Sequence, residues 1–266
     1  MSGNREETVK WTIHKYGGGT FTEIDDEIAA ELPLTIRLDG EEFATIVCTP
    51  SDLTDMTIGF LASEAVIRRM DDIAGLRLDE SRGFVDVELT RKQSIGKDYY
   101  AKRFIGSCCG KSRQFYFHND VRTAKTVMTR LQISPEQCFD LMAKLQNGSA
   151  GFQRTGGLHN AGLCTPDELL AARTDIGRHN ALDKIFGHML RNGIPAADKA
   201  LAFSGRISSE VVLKTAKIGA GILLSKSAPT DLALELAHDL GITAVGFIRS
   251  GSMNVYTHPE RIVAKL

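Results

Sequence analysis

The 266-residue chain has no apolar run approaching the roughly 20 residues that a membrane-spanning helix needs. Residues 1–7 are polar, so no secretory leader is expected. Lys and Arg number 32 against 33 Asp and Glu, a formal net charge of -1. That leaves no bulk basic field for nucleic acid and no polybasic membrane anchor. The cysteines number five, at 48, 108, 109, 138 and 164. An odd, scattered set excludes a disulfide framework and paired zinc spacing, and a reducing, cytoplasmic location follows as the expectation. There is no P-loop, no Gly-x-Gly-x-x-Gly fingerprint, and no period of about 20 to 50 residues that would mark a repeat fold. What remains is 42% hydrophobic and 24% charged, an ordinary globular balance in a chain long enough to bury a core unaided.

The first half reads as a small α+β unit. Residues 1 to about 10 are expected to fray, and residues 11–14 and 34–38 alternate apolar and polar as strands do. Asp39-Gly40 signals a hairpin before residues 43–48. Thr49-Pro50-Ser51-Asp52 reads as a cap for a helix running to about Arg69, and residues 76–78 and 84–89 as two further strands. Residues 91–114 form a long polar stretch, and loops of that length are functional or disordered. Ser134, Pro135 and Gln137 then spell a capping box for a helix ending at Gly148. From about residue 155 strands and helices alternate with short loops. Strands are expected at 158–163, 169–173, 200–203, 221–224 and 243–248, and helices at 179–190, 208–218 and 230–240. The fold class is therefore α/β in this half and α+β overall, with a domain at 1–114 and another at 115–266.

Two features carry chemistry. The first is Gly106-Ser107-Cys108-Cys109-Gly110-Lys111-Ser112-Arg113. Lys and Arg lower a thiol pKa, and the glycines and serines around it do not make a core strand, which favours a reactive thiol over buried filler. The second is the set of loops after the parallel strands, where such sheets bind ligands. They read Ser204-Gly205-Arg206, Ser225-Lys226-Ser227 and Arg249-Ser250-Gly251-Ser252, each with a cation and a hydroxyl. Helix N-termini follow the first two and favour an anion with phosphates; solvated surface charge is the competing reading. His159 and His179, near Asp175 and Asp183, read equally as acid–base groups or as turn and cap chemistry.

These words together resemble the formate dehydrogenase accessory sulfurtransferase family, FdhD. The resemblance runs nearly end to end: Glu31-Leu32-Pro33, Thr49-Pro50, Gly59-Phe60, Gly156-Gly157-Leu158-His159, Ser204-Gly205-Arg206, Ser227-Ala228-Pro229 and Tyr256-Thr257-His258-Pro259. Its most specific word is Asp175-Ile176-Gly177-Arg178-His179-Asn180-Ala181-Leu182-Asp183-Lys184. The resemblance implies a sulfurtransferase that takes persulfide sulfur from a cysteine desulfurase. It passes that sulfur to the molybdenum bis(molybdopterin guanine dinucleotide) cofactor that formate dehydrogenase needs. It implies a homodimer, a C-terminal domain similar to the cytidine deaminase fold, and a cofactor-binding segment at Phe247, Ile248, Arg249, Ser250, Gly251 and Ser252. Arg206 and Lys226 would add phosphate contacts, and a guanine nucleotide would mimic the cofactor. The deaminase metal pattern is absent, since His159 is followed by Asn160 and Ala161. Many members separate their two cysteines by two residues, whereas here Cys108 and Cys109 are adjacent. Cys108 is taken as the carrier and Cys109 as its helper. The alternative is a non-catalytic chaperone that binds the molybdenum cofactor.

Overall fold

The structure is a computed structural model that describes residues 6–91, 103–105, 124–249 and 251–264. The cysteine pair at 108 and 109, its flanking Lys111 and Arg113, the domain boundary at 114 and 115, and Ser250 lie outside the described residues.

A two-stranded ribbon comes first: β1 (Thr8–Gly17) pairs antiparallel with β2 (Thr20–Ala29). The expected frayed start is therefore shorter than 10 residues, because Thr8, Val9 and Lys10 already pair with Ala29, Ile28 and Glu27. β3 (Leu32–Leu38) and β4 (Glu41–Cys48) form the expected hairpin. Its turn residues, Asp39 and Gly40, have φ of 50° and 91°, as a tight two-residue hairpin turn requires.

α1 (Leu53–Ser63) follows, then β5 (Ile73–Asp79), β6 (Phe84–Leu89) and β7 (Arg103–Ile105). The five strands order as β5-β6-β3-β4-β7. Two expectations need correction. α1 stops at Ser63 rather than near Arg69, because Ala65 turns left-handed (φ 59°) and the Val66 N–H bonds back to the Leu61 carbonyl. Ile67 still reaches the core, but through a turn. The polar stretch from 91 also contains β7, which pairs parallel with β4 through Phe104 and Ile105, residue types that favour an extended chain.

The second sheet is built from β8 (His159–Cys164), β9 (Leu169–Asp175), β10 (Ala200–Phe203), β11 (Ile222–Ser225), β12 (Thr243–Arg249) and β13 (Ser252–Val255). Its order is β13-β12-β11-β10-β8-β9. β10, β11 and β12 run parallel, as the strand–helix alternation predicts, and β8, β9 and β13 complete the sheet antiparallel. The helices are α2 (Pro135–Asn147), α3 (Ala150–Thr155), α4 (Arg178–Arg191), α5 (Ser209–Ile218) and α6 (Asp231–Asp239). α2 has the capping box read from the sequence: Ser134 Oγ accepts from the Gln137 N–H, and the Gln137 side chain accepts from the Ser134 N–H.

Period-two alternation in β10 decides what covers each face. Leu201 and Phe203 point to α4, α5 and α6, while Ala200 and Ala202 face α2 and its Leu141, Met142 and Leu145. α1 covers the first sheet and packs lengthwise on α4, whose Phe186 touches both cores. The approach of α1 to α4 needs two glycines. A Cβ at Gly59 would lie 1.7 Å from the Asp183 carbonyl oxygen, and one at Gly187 would lie 1.9 Å from the Asp55 carbonyl oxygen. Mixed α+β architecture is thus observed, and among the described residues no helix is long and apolar enough to cross a membrane.

Gly187→Ala is expected to destabilise the protein by about 3 kcal/mol or more, because the obstacle is backbone and cannot swing aside. The midpoint of urea unfolding measures this, and an unchanged midpoint would refute the close helix contact.

Candidate functional site

The three parallel strands end on one side of the sheet, and their loops are stitched together. Ser225 Oγ donates to the Gly205 carbonyl at 2.7 Å and accepts from the Ser227 N–H at 3.0 Å. The Phe247 N–H then donates to the Ser227 carbonyl at 3.2 Å. Gly246 is required here, since a Cβ would sit 2.9 Å from that same carbonyl oxygen. The loops after β10, β11 and β12 therefore form one continuous rim. α5 and α6 begin just beyond it, and neither Ser208 nor Thr230 caps its helix with a side-chain hydrogen bond.

Beside this rim lies a groove of about 520 Å³ lined by Phe139, Asp140, Met142, Ala143 and Gln146 of α2 and by Lys226, Ile248 and Arg249. That volume suits a small-molecule site. Lys226 and Arg249 are exposed, and Lys226 Nζ donates to Gln146 Oε1 at 3.2 Å. Ile248 is 2% exposed and forms floor. Arg206 is exposed on the loop before α5 and does not line this groove. Gly251 (φ 82°) turns the chain into β13, where Ser252 is exposed.

Phe247 has φ of 53° and stays 37% exposed at the bulge between Gly246 and Arg249. A bulky residue held left-handed stores strain, and such positions cluster at binding sites. The helical wall of the groove was not legible as a site. In the sequence this helix shows only its capping box and its end at Gly148, and nothing marks Phe139, Met142 or Gln146 as a site. A larger trough, about 810 Å³, lies on the first sheet by Asp39, Asp86, Glu88 and Arg77. Its three carboxylates against one guanidinium make it unsuitable for a polyphosphate.

The Asp175 to Lys184 word does structural work. Lys184 Nζ lies 2.9 Å from Asp175 Oδ2, both side chains fully buried, and donates to the Thr49 and Thr174 carbonyls. Asp175 also accepts from the N–H groups of Thr49 and Gly177 and from Asn180 Nδ2. Asp183 accepts from Ser63 Oγ at 2.6 Å and from Lys214 Nζ. Neither carboxylate is left open to serve His159 or His179 as an acid–base partner. His179 Nε2 instead meets Glu210 Oε2 at 2.8 Å. In the same corner, Arg178 Nε and Ser208 Oγ are buried without a hydrogen-bond partner among the described residues, as atoms awaiting an anion or water are.

Cys48, Cys138 and Cys164 are each 0% exposed. Burial pushes all three thiols up to about 12, with the Asp175 charge adding at Cys48. Among the described residues no group of three His, Cys, Asp or Glu could hold a metal ion.

Two outcomes are expected. Lys184→Ala strands the Asp175 carboxylate and should cost about 3–5 kcal/mol in urea unfolding. Burial holds the His159 imidazole below its ordinary 6.5, Arg178 adding and Asp175 opposing. As pH falls below 6.5 the unfolded chain takes up that proton first, so the folded state loses stability until the lower folded pKa is passed. His159→Gln should flatten that part of the pH dependence, and an unchanged slope would place its source elsewhere.

Known proteins give this geometry a context. The sequence model of the FdhD/NarQ family matches residues 29–263. The "Sulfur carrier protein FdhD" of Geobacillus kaustophilus is 58% identical over 251 residues, 94% of this chain and 95% of that protein. The protein of the same name from Bacillus subtilis is 54% identical, covering 97% and 99%. A crystal structure from Desulfotalea psychrophila, described as a formate dehydrogenase accessory protein, superposes with a TM-score of 0.79 at 25% identity, covering 97% of this chain and 100% of that one. With a core, a rim and a buried Asp175–Lys184 bolt that all lie inside the matched span, the chain belongs to the FdhD/NarQ family.

Proposed function

We propose that this chain is a sulfur carrier acting in formate dehydrogenase maturation, and that it works as a sulfurtransferase by cysteine persulfide relay. The observation that carries this reading is the state of the other thiols. Of five cysteines, the three described are sealed and held protonated, which leaves Cys108 and Cys109, beside Lys111 and Arg113, to handle sulfur. Relatives sharing more than half of its residues bear the name sulfur carrier protein.

In this relay a Cys108 or Cys109 thiolate attacks the outer sulfur of a cysteine desulfurase persulfide. The new S–S bond forms as the old one breaks, and the desulfurase cysteine departs as its thiolate. The carried sulfur would then pass to molybdenum in the bis(molybdopterin guanine dinucleotide) cofactor, which is substrate here and is destined for formate dehydrogenase: the carrier S–S bond breaks, the cysteine leaves as its thiolate, and reduced molybdenum in the substrate supplies the two electrons that make the sulfur a sulfido ligand. The strand-end rim supports the second half of this reading. Lys226 and Arg249 supply cations at the groove, Arg206 and the starts of α5 and α6 add positive potential beside it, and the exposed Phe247 ring offers a face to a nucleobase.

The test pairs two measurements. Incubation with a cysteine desulfurase and cysteine should add the mass of one sulfur, removed again by reductant. Cys108→Ala with Cys109→Ala should abolish the adduct while leaving guanosine diphosphate binding intact. Lys226→Ala and Arg249→Ala should each weaken that binding about tenfold. No adduct on the wild-type chain, with nucleotide binding retained, would leave a cofactor chaperone as the function.

A further inference from the structure

The groove lies on the α2 side of the second sheet. On the other side, where α4 and α5 begin, Arg178 and Ser208 have no part in the reading above. The first turns of these helices touch, because His179 Nε2 on α4 meets Glu210 Oε2 on α5 at 2.8 Å. The loop between β10 and α5 is tied to β8. The Asn160 N–H donates to Ser204 Oγ at 2.9 Å, and the Ser204 N–H donates to the Asn160 carbonyl at 3.0 Å. Gly205 sits against α4: a Cβ there would lie 3.6 Å from Arg178 Cβ and 2.9 Å from the Phe203 ring. Within this corner Arg178 Nε and Ser208 Oγ are shut off from solvent, and neither has a hydrogen-bond partner among the described residues. A buried donor left unpaired destabilises the fold. The acceptors of the corner are already engaged: Glu210 by His179, the Gly205 carbonyl by Ser225, and Asp175 by Lys184, Thr49, Gly177 and Asn180. What Arg178 and Ser208 can still meet is an acceptor from outside the chain.

We propose that this corner is a second anion site, separate from the groove and built for a phosphate group. The donors decide the class of ligand. The Arg178 guanidinium can only donate, and its charge and fork match the oxygens of a phosphate. Ser208 Oγ adds a hydroxyl from the residue before α5. α4 and α5 are 14 and 10 residues long, and neither start is capped by a side-chain hydrogen bond, so both present positive helix ends. A flat carboxylate is served by the guanidinium fork alone. Donors drawn from two helix starts suit a tetrahedral oxyanion of higher charge. The local charge agrees: burial first and Arg178 second hold the His159 imidazole below its ordinary 6.5, which places the Arg178 cation near the start of β8. The phosphate is either free inorganic phosphate or a phosphate of the guanine dinucleotide whose other contacts are at the groove. Only the second source rests on the reading above.

The test titrates inorganic phosphate into the full-length protein at constant ionic strength made up with chloride, and reads binding from phosphorus NMR line broadening. The wild type is compared with Ser208→Ala and Arg178→Gln. Ser208 Oγ bonds nothing among the described residues, so Ser208→Ala should keep the wild-type urea midpoint. Saturable binding is expected, weakened about fivefold by Ser208→Ala and about tenfold or more by Arg178→Gln. No saturable binding to the wild type overturns the proposal. So does a Ser208→Ala variant that binds as tightly as the wild type, a result that stands even where Arg178→Gln fails to fold. Guanosine diphosphate added to the phosphate-loaded protein then names the source. It displaces the phosphate, and itself binds more weakly to Ser208→Ala, where the corner serves the nucleotide. It leaves the phosphate in place where the corner serves the free ion. Phosphate bound by a chain that does not bind guanosine diphosphate at all would remove the groove reading and keep this one.

Discussion

Buried charge clasps two sheets together in this protein, and the rest of the structure hangs on that clasp. Lys184 and Asp175 meet with no exposure at all, and each also binds backbone of the Thr49 segment from the other sheet's unit. Asp183 receives Ser63 and Lys214 in the same way, and the 1%-exposed Asp55 on α1 receives Arg173 and Arg191. Desolvating such ions costs several kcal/mol each, so a buried pair adds little over an apolar contact. What it adds is register. An Asp or Lys displaced by one turn would be an uncompensated charge in a dry interface, whereas a displaced Leu would find another Leu. The Gly59 and Gly187 contacts sharpen the same demand, since only one alignment of α1 on α4 lets the backbones touch.

That alignment carries through to the groove. α4 is fixed by the clasp, β8 and β9 pack on α4, and β10 pairs with β8. The ends of β10, β11 and β12 are then set by the ladder and locked by Ser225 and Ser227. A rim built this way has its backbone held in one arrangement by the ladder and by the Ser225 and Ser227 bonds.

Local rules made much of this legible. The Ser134–Gln137 box, the Asp39-Gly40 turn and the alternation along β3 each depend on neighbours within a few residues, and each is found as expected. What the sequence hid is tertiary. Asp52 looks like a helix cap, yet it adopts φ of 50° with no capping bond and pairs with Arg173 instead. The Asp175 to Lys184 word reads equally as acid–base or as turn and cap chemistry, because Asp, His and Lys look alike whether they face a substrate or the protein interior. Burial alone separates the two readings, and burial is set by segments more than 100 residues away. The left-handed Phe247 could not be read either, because nothing about a phenylalanine announces a bulge.

The buried thiols bear on specificity. The relay proposed above requires that the other cysteines be kept from exchanging with a persulfide. Exchange requires thiolate, and a thiol pushed to about 12 is ionised at neutral pH in only about one part in 10⁵. An ordinary thiol near 8.5 is ionised at the level of a few per cent. Three cysteines are silenced by being placed in core: Cys48 against α1, Cys138 on the buried face of α2, and Cys164 under that helix. The same packing that gives each sheet its second layer therefore takes three of the five thiols out of exchange chemistry.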